Sequence, residues 1–182
     1  MDITPRDIIE YWFSPQIRKY WFSSTLELDK EIHDQFAQIW HDASKGQLDV
    51  WSESPEGCLA LVIILDQFPL NMFRGTAKSF STESKAREIA RQALAQDFDQ
   101  KIETEQLAFL YMPFMHSENE TDQEYSVKLY KAANLENNVR FAEHHQAIIK
   151  ELGRFPHRNA ILGRVSTKAE IEYLESDRAF KG

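Results

Sequence analysis

Ser54-Pro55-Glu56-Gly57-Cys58-Leu59-Ala60-Leu61-Val62-Ile63-Ile64-Leu65-Asp66-Gln67-Phe68-Pro69 is the stretch whose reading decides the fold. Serine followed by proline is a helix start: the hydroxyl can accept from an orphan amide, and proline has no amide to lose at the first helical position. From Leu59 to Leu65 every residue is apolar, so the element has no solvent face and must be buried on most sides. Its Val/Ile content also suits a strand. No second run of that kind is available to pair with it, however, and a lone strand cannot satisfy its backbone, so the stretch is read as a central helix. Asp66 and Gln67 follow at once, and Pro69 then prevents smooth continuation.

Outward from this helix the signals are also helical. Thr4-Pro5 starts a short helix ending near Tyr11-Trp12-Phe13, and the related triplet Tyr20-Trp21-Phe22 is expected to join it in the core. From Thr25 to Ser44, Leu28, Ile32, Phe36, Ile39, Trp40 and Ala43 form the stripe of an amphipathic helix that Gly46 stops. Asp29 and His33 share its polar face; a metal could use such a pair, but a solvated pair is far commoner. Further helices are expected from Thr82 to about Gln96, Thr104 to about Met112, Thr121 to about Ala133, Glu136 to Leu152, where Gly153 stops it, and Thr167 to about Glu175. Thr121-Asp122-Gln123-Glu124 and Thr167-Lys168-Ala169-Glu170 both match the capping box. Short connections predict antiparallel helix hairpins, so the expected fold is all-α, a single domain over residues 1–182. The repeat of Phe68-Pro69 in Phe155-Pro156 is too weak an echo to define a solenoid.

Composition narrows the function classes. A chain of 182 residues with 42% apolar and 27% charged residues is long enough for a real core and lies far from the signature of disorder. A net charge of -8 opposes nucleic-acid binding, which needs Lys and Arg to neutralise phosphates. Cys58 stands alone, which excludes an intramolecular disulfide and suits a reducing compartment. The N-terminus lacks a signal-peptide pattern, and the run from Cys58 to Leu65 falls well short of the roughly 20 residues that span a bilayer. A cytoplasmic protein with no membrane partner is expected.

Three segments mix aromatic, proline and ionisable residues at the ends of helical patterns, where binding and catalytic groups concentrate. In the first, Asp66, Gln67, Asn71 and Arg74 lie within one turn, and a desolvated Asp66 needs a cation or amide donors, with Arg74, Arg154 and Arg158 as candidates. In the second, His116-Ser117-Glu118 suits proton transfer by an imidazole and a carboxylate, and equally suits capping of the next helix. The third, Arg154, His157, Arg158 and Asn159 near Gly163-Arg164, concentrates positive charge in an acidic protein and suits an anion, which guanidinium forks grip bidentately. His145 sits on or beside the apolar stripe of its helix, where a histidine is usually a satisfied core residue. If it pointed toward His116 and His157, three imidazoles with Asp66 or Glu118 would resemble a metal site, but no His-Glu-x-x-His spacing supports one. No metal and no cofactor are expected.

Taken together, Leu65-Asp66-Gln67-Phe68-Pro69, Arg74-Gly75, Pro113-Phe114-Met115-His116-Ser117-Glu118 and Gly153-Arg154-Phe155-Pro156-His157-Arg158-Asn159 resemble the signature of DUF924, a bacterial family of unknown function. Asp29, Ile32, Phe36, Trp51, Phe141-Ala142 and His145 also fit that pattern, so the resemblance covers nearly the whole chain. It implies an all-helical fold similar to tetratricopeptide-like helix hairpins and no assigned activity. The family pattern has a basic residue after its first proline; Leu70 stands there in this chain, which removes one cation from an anion pocket.

The functional expectation is a helical protein that binds a small anionic ligand, or an acidic peptide end, where the three segments converge. Arg74, Arg154 and Arg158 would grip the anion, His116 and His157 would donate hydrogen bonds, and Gln67, Asn71, Ser117, His145 and Asn159 would complete the lining. The rival is a hydrolase or transferase with His116 or His157 as general acid or base, oriented by Asp66 or Glu118. A third reading is a scaffold that binds another protein. Oligomeric state leaves no mark on the sequence.

Overall fold

The computed structural model describes residues 3–180, so the outermost bounds of the expected domain, residues 1, 2, 181 and 182, lie outside it. Among the described residues every regular element is helical: α1 (Pro5–Trp12), α2 (Pro15–Arg18), α3 (Leu26–Ser44), α4 (Pro55–Val62), α5 (Phe68–Met72), α6 (Glu83–Ala95), α7 (Thr104–Met115), α8 (Glu120–Ala132), α9 (Glu136–Leu152) and α10 (Lys168–Leu174). None is long and apolar enough to cross a membrane. By contact the elements group into two compact units: the chain up to Arg74 with Lys78–Pro113, and Gly75–Ala77 with the chain from Phe114 on.

In the first unit, α4 is the hub, packed against α1 and α6, while α5 packs against α3. Leu59 through Leu65 are all at most 1% exposed, as an apolar-all-round helix requires. The chain does not break at Pro69. Ile63–Gln67 widens into a π-helical turn, in which the Phe68 amide reaches back to the Ile63 carbonyl, and Pro69 begins the next α-helix. Proline has no amide to offer the Leu65 carbonyl, and the Thr82 hydroxyl donates to that oxygen instead, at 2.6 Å. Thr82 Oγ1 in turn accepts from the Trp40 indole at 3.2 Å.

Local signals placed most helix starts. Thr4 caps α1 in a full capping box with Asp7, Thr25 caps α3, and Thr167 caps α10 in a capping box with Glu170. Gly153 ends α9 in the left-handed region at φ 73°, where a side chain would be strained.

Four expectations need correction. The stretch from Thr104 does not stop near Met112 but runs to Met115 with Pro113 inside. Phe109, Leu110, Tyr111, Met112, Phe114 and Met115 are all buried, and that burial outweighs the amide lost at the proline. α8 is capped by Asn119, whose side chain accepts from the Thr121 and Asp122 amides, so Thr121 is not its cap. Asp29 is not on a solvated face with His33; it is 8% exposed and bonded to Ser24, Asn71 and Arg74. Of the second aromatic triplet, Phe22 is 80% exposed, whereas Trp21 stacks on Trp12 and meets Phe109 edge-on.

In the second unit, α9 folds back on α8 through a short turn with Asn134 at φ 55°. Ile148, Ile149, Phe155 and Tyr173 form a small core, with Leu152, Leu174, Ala179 and Phe180 against it.

Candidate functional site

The second and third polar segments follow the ends of α7 and α9, whereas the first lies within the π-helical turn and α5; Asp66–Arg74 belongs to the first unit and the other two to the second. In the first unit the polar groups are bonded within the protein. Asp66, 1% exposed, accepts from Gln67 Nε2 at 2.6 Å, and the same amide nitrogen approaches the Met112 sulfur at 3.1 Å. Asn71 Nδ2 donates to Asp29 Oδ1 at 2.8 Å. Arg74 grips Asp29 with two donors, Nε at 2.6 Å and Nη2 at 3.1 Å. Burial pulls the Asp29 carboxyl upward, but Arg74, Asn71 and Ser24 outweigh it and hold it below the usual carboxylate range. The cluster fastens the end of α5 to α3.

The second unit carries two more such forks. After Gly153 turns the chain, a short 3-10 turn, Pro156–Arg158, places His157 and Arg158. Arg154 reaches forward to Glu170, Nε at 2.5 Å and Nη2 at 2.9 Å, with Nη2 also donating to the Val165 carbonyl. The Arg154 guanidinium, helped by the Thr167 amide and the Asn159 side chain, pulls the Glu170 carboxyl down to about 2. Glu118 accepts from Arg164 at 2.7 and 2.9 Å and from the Phe155 amide at 2.8 Å. Burial raises the Glu118 pKa, but these donors and the nearby charges of Arg164 and Arg158 win, and the carboxyl sits below its ordinary value. Asn159, 1% exposed, accepts from Arg164 Nε and donates to Ser166. Ser117 donates to Asp122 at 2.7 Å and accepts from the Asn119 amide, while Gln123 Nε2 satisfies the Met115 and Ser117 carbonyls. Glu118 therefore ties the loop before α8 to the loop after α9, and Arg164 is the cation that does so.

The imidazoles behave differently. His145, 4% exposed, has Nδ1 at 2.8 Å from the Phe141 carbonyl. A carbonyl can only accept, so Nδ1 carries the proton and Nε2 is left as an acceptor. Burial above all pushes the His145 pKa down to about 3, against the Phe141 bond that raises it, with His116, His144 and His157 adding repulsion. His157 falls to about 4, first through burial, then through Arg158, with His116 and Arg164 lowering it further and Glu118 raising it. His157 Nδ1 is buried with no hydrogen-bond partner among the described residues. Both rings face aromatic neighbours: His145 lies 5.3 Å from Phe155 and 4.5 Å from Phe180, and His157 lies 5.7 and 5.1 Å from the same two rings. Arg158, 6% exposed, places its guanidinium 4.9 Å from the Phe155 ring.

Within the second unit the charges of His116, Glu118 and Arg158 thus bear on His157, and those of His116 and His157 bear on His145. It commits Arg74 and Arg154 to Asp29 and Glu170, neither of them a partner the sequence nominated. Among the described residues no group of three or more His, Cys, Asp or Glu side chains is placed to hold a metal ion. Arg164 was noted beside the third segment but not as the partner of Glu118, and Glu170 and Phe180 were not placed at the site. Glu170 was visible as a capping residue, but nothing local pointed to its arginine.

The comparisons with known proteins agree with a helical chain. The family model described as "Bacterial protein of unknown function (DUF924)" matches residues 8–178. The chain is similar in structure to the protein of unknown function ATU0120 from Agrobacterium tumefaciens, with a TM-score of 0.87 and 37% sequence identity over 94% of this chain and 96% of that one. No curated protein matches.

Proposed function

This chain belongs to the DUF924 family of bacterial proteins of unknown function, and from that premise we propose that it is a binding protein whose second unit takes a small anion or the acidic end of a peptide beside His157. In this reading the helices form hairpins of the tetratricopeptide kind, and the loops at their ends carry the site. The observation that carries it is the buried Nδ1 of His157, which has no hydrogen-bond partner among the described residues although Arg158 and Arg164 bear on the same ring. A buried polar atom without a partner is costly and uncommon, and an oxyanion accepting from that imidazole would satisfy it in a positive field. His116 and His145 lie in the same electrostatic neighbourhood. Arg154 and Asn159 hold the loop in shape rather than touching the ligand, because Glu170 and Ser166 already bond them.

Binding is favoured over proton transfer. A general base works best with a pKa near the operating pH, and His157 at about 4 is a weak one. Glu118, held ionised by Arg164, cannot lend a proton at neutral pH.

Calorimetric titration with phosphate, pyrophosphate, citrate and an acidic tripeptide tests the proposal. One of them should bind, with affinity rising as pH falls from 7 to 5, because an anion beside His157 raises the imidazole pKa and so takes up a proton on binding. His157→Gln should weaken binding about tenfold or more. No heat, and no rise in melting temperature at concentrations that saturate a micromolar site, would overturn it.

A further inference from the structure

The segment after α10 has a role that neither the family nor the binding proposal assigns. Ser176–Phe180 runs from α10 back across α9. Ser176 Oγ donates to the Tyr173 carbonyl at 2.6 Å, the Ala179 amide donates to the Ser176 carbonyl, the Tyr173 hydroxyl donates to the Arg178 carbonyl at 3.3 Å, and the same oxygen accepts from the Phe180 amide at 2.8 Å. At the surface Arg178 clasps Glu151 of α9 with two donors, at 2.9 and 2.7 Å. Both side chains of that clasp are about half exposed, so it contributes little against solvent. What the segment delivers is one ring. Phe180 lies 4.5 Å from His145 and 5.1 Å from His157, against the core of Ile148, Ile149, Phe155 and Tyr173. It also lies beyond residues 8–178, the span of the family match.

We propose that Ser176–Phe180 is a removable strap, with Phe180 covering the imidazoles of His145 and His157 until it lifts to admit a ligand. The fastening is short and its ion-pair clasp is exposed, the features of a segment that opens locally without unfolding its unit. The Phe180 side chain can make no hydrogen bond of its own, so the ring is held by packing against His145, His157 and the small core. The ligand part of this inference rests on the binding proposal above; the cover itself does not.

Modification of the full chain by diethyl pyrocarbonate at neutral pH, read by mass spectrometry, measures the cover without any ligand. The half-exposed His33 serves as the internal standard. In the unmodified sequence His145 and His157 should react far more slowly than His33. Phe180→Ala should accelerate both by about tenfold or more, because reaction at a covered group follows its opened population. Glu151→Gln loosens only the surface clasp, and it should accelerate both to a smaller degree; it decides the matter should Phe180→Ala fail to fold. Unchanged rates in Glu151→Gln and in a folded Phe180→Ala, or His145 and His157 reacting as fast as His33 from the outset, would overturn the strap. Phosphate titration of Phe180→Ala separates the two ideas. Tighter binding supports both, whereas faster modification with no phosphate binding keeps the strap and removes the anion.

Discussion

Around Leu65 the groups that follow the apolar helix meet protein partners: Asp66 with Gln67, Asn71 with Asp29, and the proline-orphaned Leu65 carbonyl with Thr82. Around His157 the carboxylates are just as fully engaged, Glu170 by Arg154 and Glu118 by Arg164, yet a buried imidazole nitrogen is left over. The difference lies in charge. A buried carboxylate or guanidinium that stays unpaired costs several kcal/mol, so folding selects an opposite charge for it. A histidine can discharge instead, and once neutral it tolerates an incomplete set of hydrogen bonds. In the proposed reading a guest would meet the uncharged rings, because Arg74 and Arg154, expected as ligand grips, bond carboxylates of the protein instead.

Four experiments break or sharpen that contrast. The largest effect belongs to the first region: Phe68 is fully buried against Tyr11, Trp12 and Phe36, and Phe68→Ala should cost about 3 to 5 kcal/mol in urea unfolding. A cost under about 1 kcal/mol would mean that this stretch is not the packed hub. Next comes Thr82→Val, which keeps the shape and strands the Leu65 carbonyl; a loss of about 1 to 3 kcal/mol is expected, and no loss would show that the widened turn needs no outside donor.

The third concerns acid. His145 and His157 have pKa values pushed down to about 3 and 4, so the unfolded chain binds more protons than the folded one once the pH drops below the ordinary histidine value. Stability should be full above about pH 6.5, and each ring should remove about 1 to 2 kcal/mol between pH 6.5 and 5. That window lies above the range in which the lowered carboxyls of Asp29, Glu118 and Glu170 titrate. Equilibrium unfolding at both pH values, with His145→Gln beside the natural sequence, checks it; an equal slope in the two would show that His145 is not desolvated. The smallest effect is the control: Phe22→Ser, at an 80% exposed position, should change stability by less than about 0.5 kcal/mol.

Much of the fold was legible because helix ends are written locally. The caps at Thr4, Thr25, Ser54 and Thr167 each bond an amide three residues on, and Gly153 supplies the left-handed stop. Pro113 was read as the end of its helix by the same local logic and is not, whereas Pro69, expected to prevent a smooth continuation, follows a π-helical widening. At Pro69 a hydroxyl 17 residues from the orphaned carbonyl supplies the missing donor, and at Pro113 the helix continues with its flanking aromatics buried. The candidate site was legible in its location but less in its wiring. His116, Glu118, His145, Arg154 and His157 were all singled out, yet Glu118 meets Arg164 across 46 residues and Arg154 meets Glu170 across 16. Asp29 looked like a surface residue because helical periodicity puts it beside the apolar stripe, and only the approach of α5 covers it.

The sequence by itself determined that this chain is helical, where nearly every helix begins, and that polar side chains gather in three short segments. Those properties follow from bonds between near neighbours along the chain and from the period of its apolar residues. Which arginine meets which carboxylate, and which imidazole is left without a partner, was decided only by the tertiary structure. Coulomb attraction carries no address: any guanidinium satisfies any carboxylate it can reach, and reach is a property of the folded chain.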